Sequence, residues 1–518
     1  CLPGPGGPRA GRIGTVSAFD ALGLRNRRAV PLAHLPVEPV DQFRRTVIDA
    51  LRGEWRLAAF FGMPDSHESV RLLAVLANDR RGELGATSTV VDGKYPALTP
   101  ECPEAGYFER EVAEQCGVTP VGHPDLKPVR RHPPDHAPAA RGGMPFDREA
   151  YPFSRIDSIH VHEVAVGPVH AGIIEPGHFR LQAHGEAVLH LEIMLGYQHR
   201  GVERLLEGLD RDRAVLVAES IAGDTVIGHG GAWCSAIEAL ARARKTPRAQ
   251  AIRGIALELE RLANHLGDLG AIAGDIAYQP AAAYFGRMRG ECLNSLMTLS
   301  GNRYGRGLIR PGGALFDISP EMAAELTGRL ERLRAEVVPV AELMLGNASV
   351  QARLEGVGRL APELGRELGV VGPVARACGI PRDVRHDHPY GLFRFAHAPV
   401  ATAWAGDVLA RTLVRWVEVQ RSLDFVIEQL GGLPRGAIRV ECGALRPGEL
   451  AVSMSEGWRG EIVHVAVTDD LGRIRRHKVV DPSFHNWRAV AAVLPGNQVS
   501  DFPLCNKSFN LSYAGHDL

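Results

Sequence analysis

The side chains in this sequence that could hold a metal or pass a proton are spread along the chain rather than gathered. The eight cysteines, Cys1, Cys102, Cys116, Cys234, Cys292, Cys378, Cys442 and Cys505, are spaced so that no two form the C-x-x-C clamp that grips zinc or an iron–sulfur cluster. They read as reduced thiols of a cytosolic protein. Asp224, His229, His516 and Asp517 offer carboxylate and imidazole groups of the kind that suit zinc or iron, but their spacing matches no standard ligand set. The expectation for them is hydrogen bonding in a protein–protein surface. Net charge gives no further lead. With 59 Lys+Arg against 60 Asp+Glu, the chain has no field that would draw in nucleic acid or an anionic membrane, so any partner is recognised locally.

The elements that must position these residues fall into two unequal parts. At 518 residues the chain exceeds what one core usually serves. Residues 1–38 mix Gly, Pro and Arg without periodicity and are expected to be a loose extension, and Cys1 is expected to mark a truncated reading frame rather than a processed lipoprotein. From 39 to 129 a helical pattern at 43–53 precedes two apolar runs, WRLAAFFGM and VRLLAVLAND, that read as strands joined by a polar turn. The Pro- and Gly-rich stretch 130–154 reads as an exposed linker. The remainder, 155–518, opens on alternating strand-like segments and is then dominated by long amphipathic helices, at 251–270 and 407–432, before a hairpin within 462–480. The fold class is therefore α+β: a small α/β amino-terminal domain followed by a mostly α-helical domain with small β elements. No apolar run reaches membrane-spanning length.

Several separated segments together resemble one family. The helix with Glu109-Arg110-Glu111, followed by Gly122-His123-Pro124, is similar to the C-type component of complex I. GPVHAGIIEPGHFRL (167–181), GYQHRGVERLLEG (196–208), ELERLANHLGDLG (258–270), GLIRPGG (307–313), EGWRGE (456–461) and PSFHNW (482–487) resemble, in order, the large subunits of formate-hydrogenlyase-type nickel–iron hydrogenases and the homologous D-type component of complex I. The resemblance implies a C-like domain fused to a D-like domain.

It also implies a site that has changed. The family binds nickel and iron with four thiolates from two C-x-x-C pairs, and the matching positions here are Ala222, Thr225, Ser512 and Gly515. Hydrogenase activity is therefore not expected, and no cofactor is expected on this chain. Glu175 matches the family's proton-passing glutamate and Arg459 the arginine that overhangs the metal, which makes them a candidate proton relay whose charges would have to compensate each other if buried together. The two positions that hold quinone in complex I fall at Pro176 and Gly223, with His178 two residues on, so His178, Gly223, Asp224 and His229 are candidate cavity-lining residues for a quinone. As partners the resemblance implies a small iron–sulfur subunit, which would hold the iron–sulfur cluster, and antiporter-like membrane subunits. It places the chain peripherally on the cytoplasmic side of the cell membrane, in a complex coupling electron transfer to ion translocation. A quinone reductase subunit with an altered pocket and a redox-inert assembly scaffold are the alternatives.

Overall fold

Two phenylalanines in succession show how the amino-terminal part is built. In a strand, neighbouring side chains leave on opposite faces. In the strand Arg56–Pro64, Phe60 lies 6.2 Å from Phe43 of the helix Val40–Arg52, and Phe61 stacks under the Arg476 guanidinium, 5.5 Å away, from the larger part of the molecule. Both faces are covered, so almost the whole strand is buried and carries apolar residues at consecutive positions. It pairs antiparallel with Val70–Asn78, which pairs antiparallel with Glu83–Val91. The computed structural model of the chain describes residues 22–132, 136 and 151–518.

The larger part is organised on a four-stranded antiparallel sheet in the order Arg28–Pro31, Glu449–Gly457, Gly460–Thr468, Ile474–Val480. The second and third strands are buried along their entire length. The helix Val226–Leu240 packs on these two strands. Around them stand the long helices Pro247–Asp275, Gln279–Ser300, Pro320–Leu345 and Val408–Gly431. Ile252, Ile255, Leu259, Leu262, Leu266 and Leu269 turn one continuous stripe of the first of these into the core. Thr246 starts that helix by accepting the Ala249 N–H at 3.1 Å, and Asp407 starts the last by accepting the Ala410 N–H at 2.8 Å. A separate three-stranded antiparallel sheet, His162–Val166, His178–His184 and Ala187–Met194, leads into this body. The architecture is α+β. Among the described residues no helix is long and apolar enough to cross a membrane.

Two expectations change. The extension expected over 1–38 becomes ordered structure well before its end, because Arg28–Pro31 adds an edge strand to the large sheet; residues 1–21 lie outside the described residues. The expected linker does not begin exposed. Its first residue, Arg130, is buried, paired to Glu111 and donating to the His516 carbonyl, and exposure begins with Arg131. Residues 133–135 and 137–150, most of that expected linker, lie outside the described residues.

Candidate functional site

Three loops converge where the sequence placed its chemistry. The first, Ala222–Thr225, precedes the helix Val226–Leu240. The start of that helix is clasped by the long helix Pro247–Asp275: Glu260 accepts the N–H groups of Ile227 at 2.6 Å and Gly228 at 3.1 Å, and Asn264 donates to the Asp224 carbonyl at 2.9 Å. Burial pushes the Glu260 carboxyl up to about 8, aided by the Asp224 charge and opposed by the two N–H bonds and Arg261.

The second loop is the tight turn between Gly457 and Gly460, which projects Trp458 and Arg459. Gly460 holds φ at +132°, and a Cβ there would stand 2.7 Å from the Gly372 Cα, so only glycine allows this turn to lie against its neighbour. Behind the turn, the wholly buried Arg261 donates to the carbonyls of Glu456 at 2.8 Å and Gly457 at 3.2 Å. Arg261 belongs to a buried network with Glu258, Arg376, Asp383, Arg385, Glu418 and Glu456 in which every charge faces an opposite one.

Arg459 grips the first loop as a fork. Its Nη1 lies 2.5 Å from Asp224 Oδ1 and its Nη2 2.8 Å from Oδ2, while Nε donates to the Asn510 carbonyl at 2.5 Å. The guanidinium lies 3.9 Å from the centre of the Trp458 ring, whose Nε1 donates to the Asp224 carbonyl and Thr225 Oγ1. Burial works against the charge on Arg459, but Asp224 beside it more than offsets this and raises its affinity for the proton.

The third loop, Asn510–Gly515, runs into the last helical turn, Tyr513–Asp517. Glu175 reaches this segment from the other side, accepting the Ala514 N–H at 3.1 Å and Gln198 Nε2 at 2.6 Å. Glu175 and Arg459 therefore hold two points of one loop, and each takes a different partner. The mutual compensation expected of them is not formed; Asp224 neutralises Arg459.

The four positions matched to metal ligands have all been given other roles. Ala222 is buried. Thr225 shares its hydroxyl with Arg459 and Trp458. Ser512 caps the last turn, its Oγ accepting the Gly515 N–H at 2.8 Å. At Gly515 a Cβ would come within 2.6 Å of the Asp481 carboxyl, so the space a side chain would use there is filled by an acid. These residues do not fit a nickel–iron centre: none supplies a thiolate, and one corner is physically occupied. Among the described residues no group of three or more His, Cys, Asp or Glu side chains is placed to hold a metal ion.

The candidate cavity residues separate. Gly223 is exposed with open space where a Cβ would project, and Asp224 is about a third exposed beside it, its side chain at 31 %. His178 turns to its own sheet, with Nδ1 3.2 Å from the Gly167 carbonyl and its ring 5.3 Å from that of Phe153. His229 does not stand beside the exposed Gly223. It is fully buried, its Nε2 2.9 Å from Asp481 Oδ2 and its Nδ1 3.2 Å from His464 Nε2. His516 and Asp517, expected at a surface, are buried too: Asp517 accepts the N–H groups of Gly196 at 2.8 Å and Gln198 at 2.9 Å, anchoring the chain end.

Sequence reasoning missed Asp481, Trp458 and Glu260. Glu260 and Asn264 are four residues apart on one helix face, a spacing that could have flagged a polar clasp. The meeting of Asp481 and Gly515 is tertiary and left no local signal.

Comparison with known proteins finds relatives over most of the chain. The family described as "Respiratory-chain NADH dehydrogenase, 49 Kd subunit" matches residues 275–447 and 438–517, and "Respiratory-chain NADH dehydrogenase, 30 Kd subunit" matches 47–150. The chain is 31 % identical over 439 residues to formate hydrogenlyase subunit 5 of Escherichia coli (strain K12), covering 82 % of this chain and 77 % of that one. It is 32 % identical over 339 residues to the second D-type subunit of the NADH-quinone oxidoreductase of Solibacter usitatus, covering 65 % and 91 %. A solved structure of the membrane-bound sulfane sulfur reductase, an archaeal respiratory membrane complex, superposes with a TM-score of 0.66 at 25 % identity over 70 % of this chain and 100 % of that one.

Proposed function

Because the chain belongs to the family that unites the large subunits of membrane-bound hydrogenases with the 49 kDa and 30 kDa subunits of complex I, here fused, we propose that it serves such a respiratory oxidoreductase complex without a nickel–iron centre. In this reading electrons arrive from a small iron–sulfur subunit at the face near residues 222–225 and 510–515. The chain sits peripherally on the cytoplasmic side of the cell membrane against antiporter-like subunits. Electron arrival changes the field at Asp224, Arg459 and Glu175, and that change drives an ion-moving element in the partners. The observation that supports the reading is the Asp481 carboxyl lodged against Gly515, in the volume a ligand side chain there would need, while the Arg459 fork and the Glu175 contacts keep the surrounding loops in place.

The test is the purified complex. Metal analysis is expected to find iron and no stoichiometric nickel, and Arg459→Ala is expected to reduce reductant-driven ion flux by about tenfold or more. Stoichiometric nickel, or full flux in both Arg459→Ala and Glu175→Gln, would overturn the reading.

One observation favours a second reading, a quinone reductase subunit: the open space at Gly223 adjoins the partly exposed Asp224, a carboxylate that could accept a hydrogen bond from a quinol hydroxyl. A photoreactive quinone labelling residues 222–225 would support it, and Gly223→Trp should then abolish both labelling and turnover.

A further inference from the structure

Behind Asp481 three buried histidines stand in single file, each from a different element. His229 is on the helix Val226–Leu240, His464 on the strand Gly460–Thr468 and His477 on the strand Ile474–Val480. All three are wholly buried. The contacts run Asp481 Oδ2 to His229 Nε2 at 2.9 Å, His229 Nδ1 to His464 Nε2 at 3.2 Å, and His464 Nδ1 to His477 Nε2 at 2.9 Å. The cross-strand register brings His464 opposite Val479 and His477 opposite Ala466, so the two rings meet diagonally on one face of the sheet.

The protons in this file can be assigned by elimination. A neutral imidazole donates from one nitrogen and accepts at the other. If Asp481 is ionised it can only accept, so His229 carries its proton on Nε2 and accepts at Nδ1. His464 must then donate from Nε2 and accept at Nδ1, and His477 must donate from Nε2. This leaves His477 Nδ1 bare, and that nitrogen is the atom of the file found buried with no hydrogen-bond partner. The bookkeeping closes with one orientation along the whole file and one vacant acceptor at its far end.

That far end lies beside an acid. Glu207 accepts the backbone N–H of His477 at 3.1 Å, together with Arg476 Nη1 at 3.1 Å and His136 Nε2 at 3.0 Å, and Arg204, exposed at the surface, binds its other oxygen at 3.2 Å. The near end, Asp481, abuts Gly515 in the converted site.

We propose that His477, His464 and His229 form a proton shuttle between His477 Nδ1, on the side of the sheet where Glu207 lies, and Asp481 at the converted site. A proton arriving at His477 Nδ1 releases the one on Nε2 to His464 Nδ1; His464 Nε2 releases its proton to His229 Nδ1; His229 Nε2 releases its proton to Asp481 Oδ2. One proton enters, one carboxylate becomes a carboxylic acid, and the three rings end neutral with hydrogen on Nδ1. The reverse sequence returns the proton and restores the starting tautomers.

The groups facing the file favour passage over storage. His464 is held well below the usual imidazole range by burial and then by His477 and His229 on either side, with the opposing pull of Glu203 too weak to restore it. His477 is lowered to about 4 by burial and Arg476 against Glu207 and Glu203. Burial raises the Asp481 carboxyl, but His229 first, then the Ser483 side chain and the charge of Arg459, together hold it below the usual carboxylate value. A proton that reaches Asp481 therefore leaves again unless the charge around Asp481 changes.

The test is nitrogen-15 NMR of the full chain with labelled histidine, signals being assigned by single His→Gln variants. All three rings are expected as Nε2–H tautomers near neutral pH, and a resting Nδ1–H on any of them would overturn the proposal. The second arm is ring N–H exchange with solvent. His477→Gln keeps an amide to bond His464 but cannot relay a proton, so it should slow exchange at His464 and His229 by about tenfold or more. Unchanged exchange in a folded His477→Gln variant would sink the shuttle, and if that variant fails to fold, His464→Gln, which interrupts the file one ring further in, must show the same slowing at His229. Neither arm needs electron transfer, so a complex without redox activity would remove the proposed function and leave this result standing.

Discussion

At Gly515 the missing side chain is a requirement of the packing, since the Asp481 carboxyl occupies the volume a Cβ would take. Asp481 cannot simply turn away, because its oxygens are committed to His229 at 2.9 Å and to the Ser483 N–H at 2.7 Å. Gly515→Cys is therefore expected to destabilise the protein by about 1–3 kcal/mol through overpacking, read as a lower denaturant midpoint. Restoring all four cysteines, at 222, 225, 512 and 515, is expected to yield a protein that still binds no stoichiometric nickel, because Asp481 remains in the way and Ser512 has given up its cap. Tight nickel binding by that fourfold variant would show that the site is only vacant, not rebuilt.

The elements around the site are joined by a polar clasp with a pH signature. Glu260 on one long helix accepts the first N–H groups of another, and its carboxyl binds its proton up to about pH 8 in the folded chain against 4.5 for the free side chain. Between those values the folded state holds a proton that the unfolded state has lost, so this contribution to stability is complete below about pH 4.5 and disappears as the pH rises through 8. Glu260→Gln should flatten that decline in a series of urea titrations, while lowering stability at every pH by about 1–2 kcal/mol because an amide N–H now faces a backbone N–H. An unaltered pH slope would show that Glu260 is ionised throughout. Elements of this kind differ in how far the sequence exposes them. The strands Arg56–Pro64 and Val70–Asn78 and the helix Pro247–Asp275 were legible because long apolar runs and a sustained helical stripe leave few alternatives. The strand Glu83–Val91 was not, since Thr87, Ser88 and Thr89 are buried small polar residues whose place depends on tertiary bonds, as with Ser88 Oγ to the Pro36 carbonyl. Arg28–Pro31 is four residues long and is a strand only because Glu449–Val452 lies beside it. The site divides the same way: Arg459 and Glu175 were visible in family motifs, whereas the partner of Arg459, the burial of His229 and the role of Asp481 emerge only when distant segments meet.

Across the whole molecule, the two fused parts are joined by buried charge as well as by apolar surface. Arg56 of the amino-terminal sheet forks onto Glu461 of the large sheet, with Nη2 2.5 Å from Oε2 and Nη1 2.6 Å from Oε1, and also meets Asp79, which in turn binds Arg382 and His388 from the larger part. A second junction has Lys478 bridging Glu111 and Glu203 at 2.6 Å and 2.9 Å. Such pairs add little net stability over an apolar pair of the same shape, but removing one member strands the other in a medium that solvates it poorly. Glu461→Ala is expected to cost about 3 kcal/mol, the lower end of the range for a broken buried pair because Asp79 stays with Arg56. Adding Arg56→Met to Glu461→Ala should recover most of that loss, since no unpaired cation then remains and the methionine can fill the space. The denaturant midpoints of the two variants decide the matter: if the double variant is no more stable than Glu461→Ala alone, the junction is held by the specific geometry of the fork, and the fusion of the two parts depends on charge recognition rather than on packing that tolerates it.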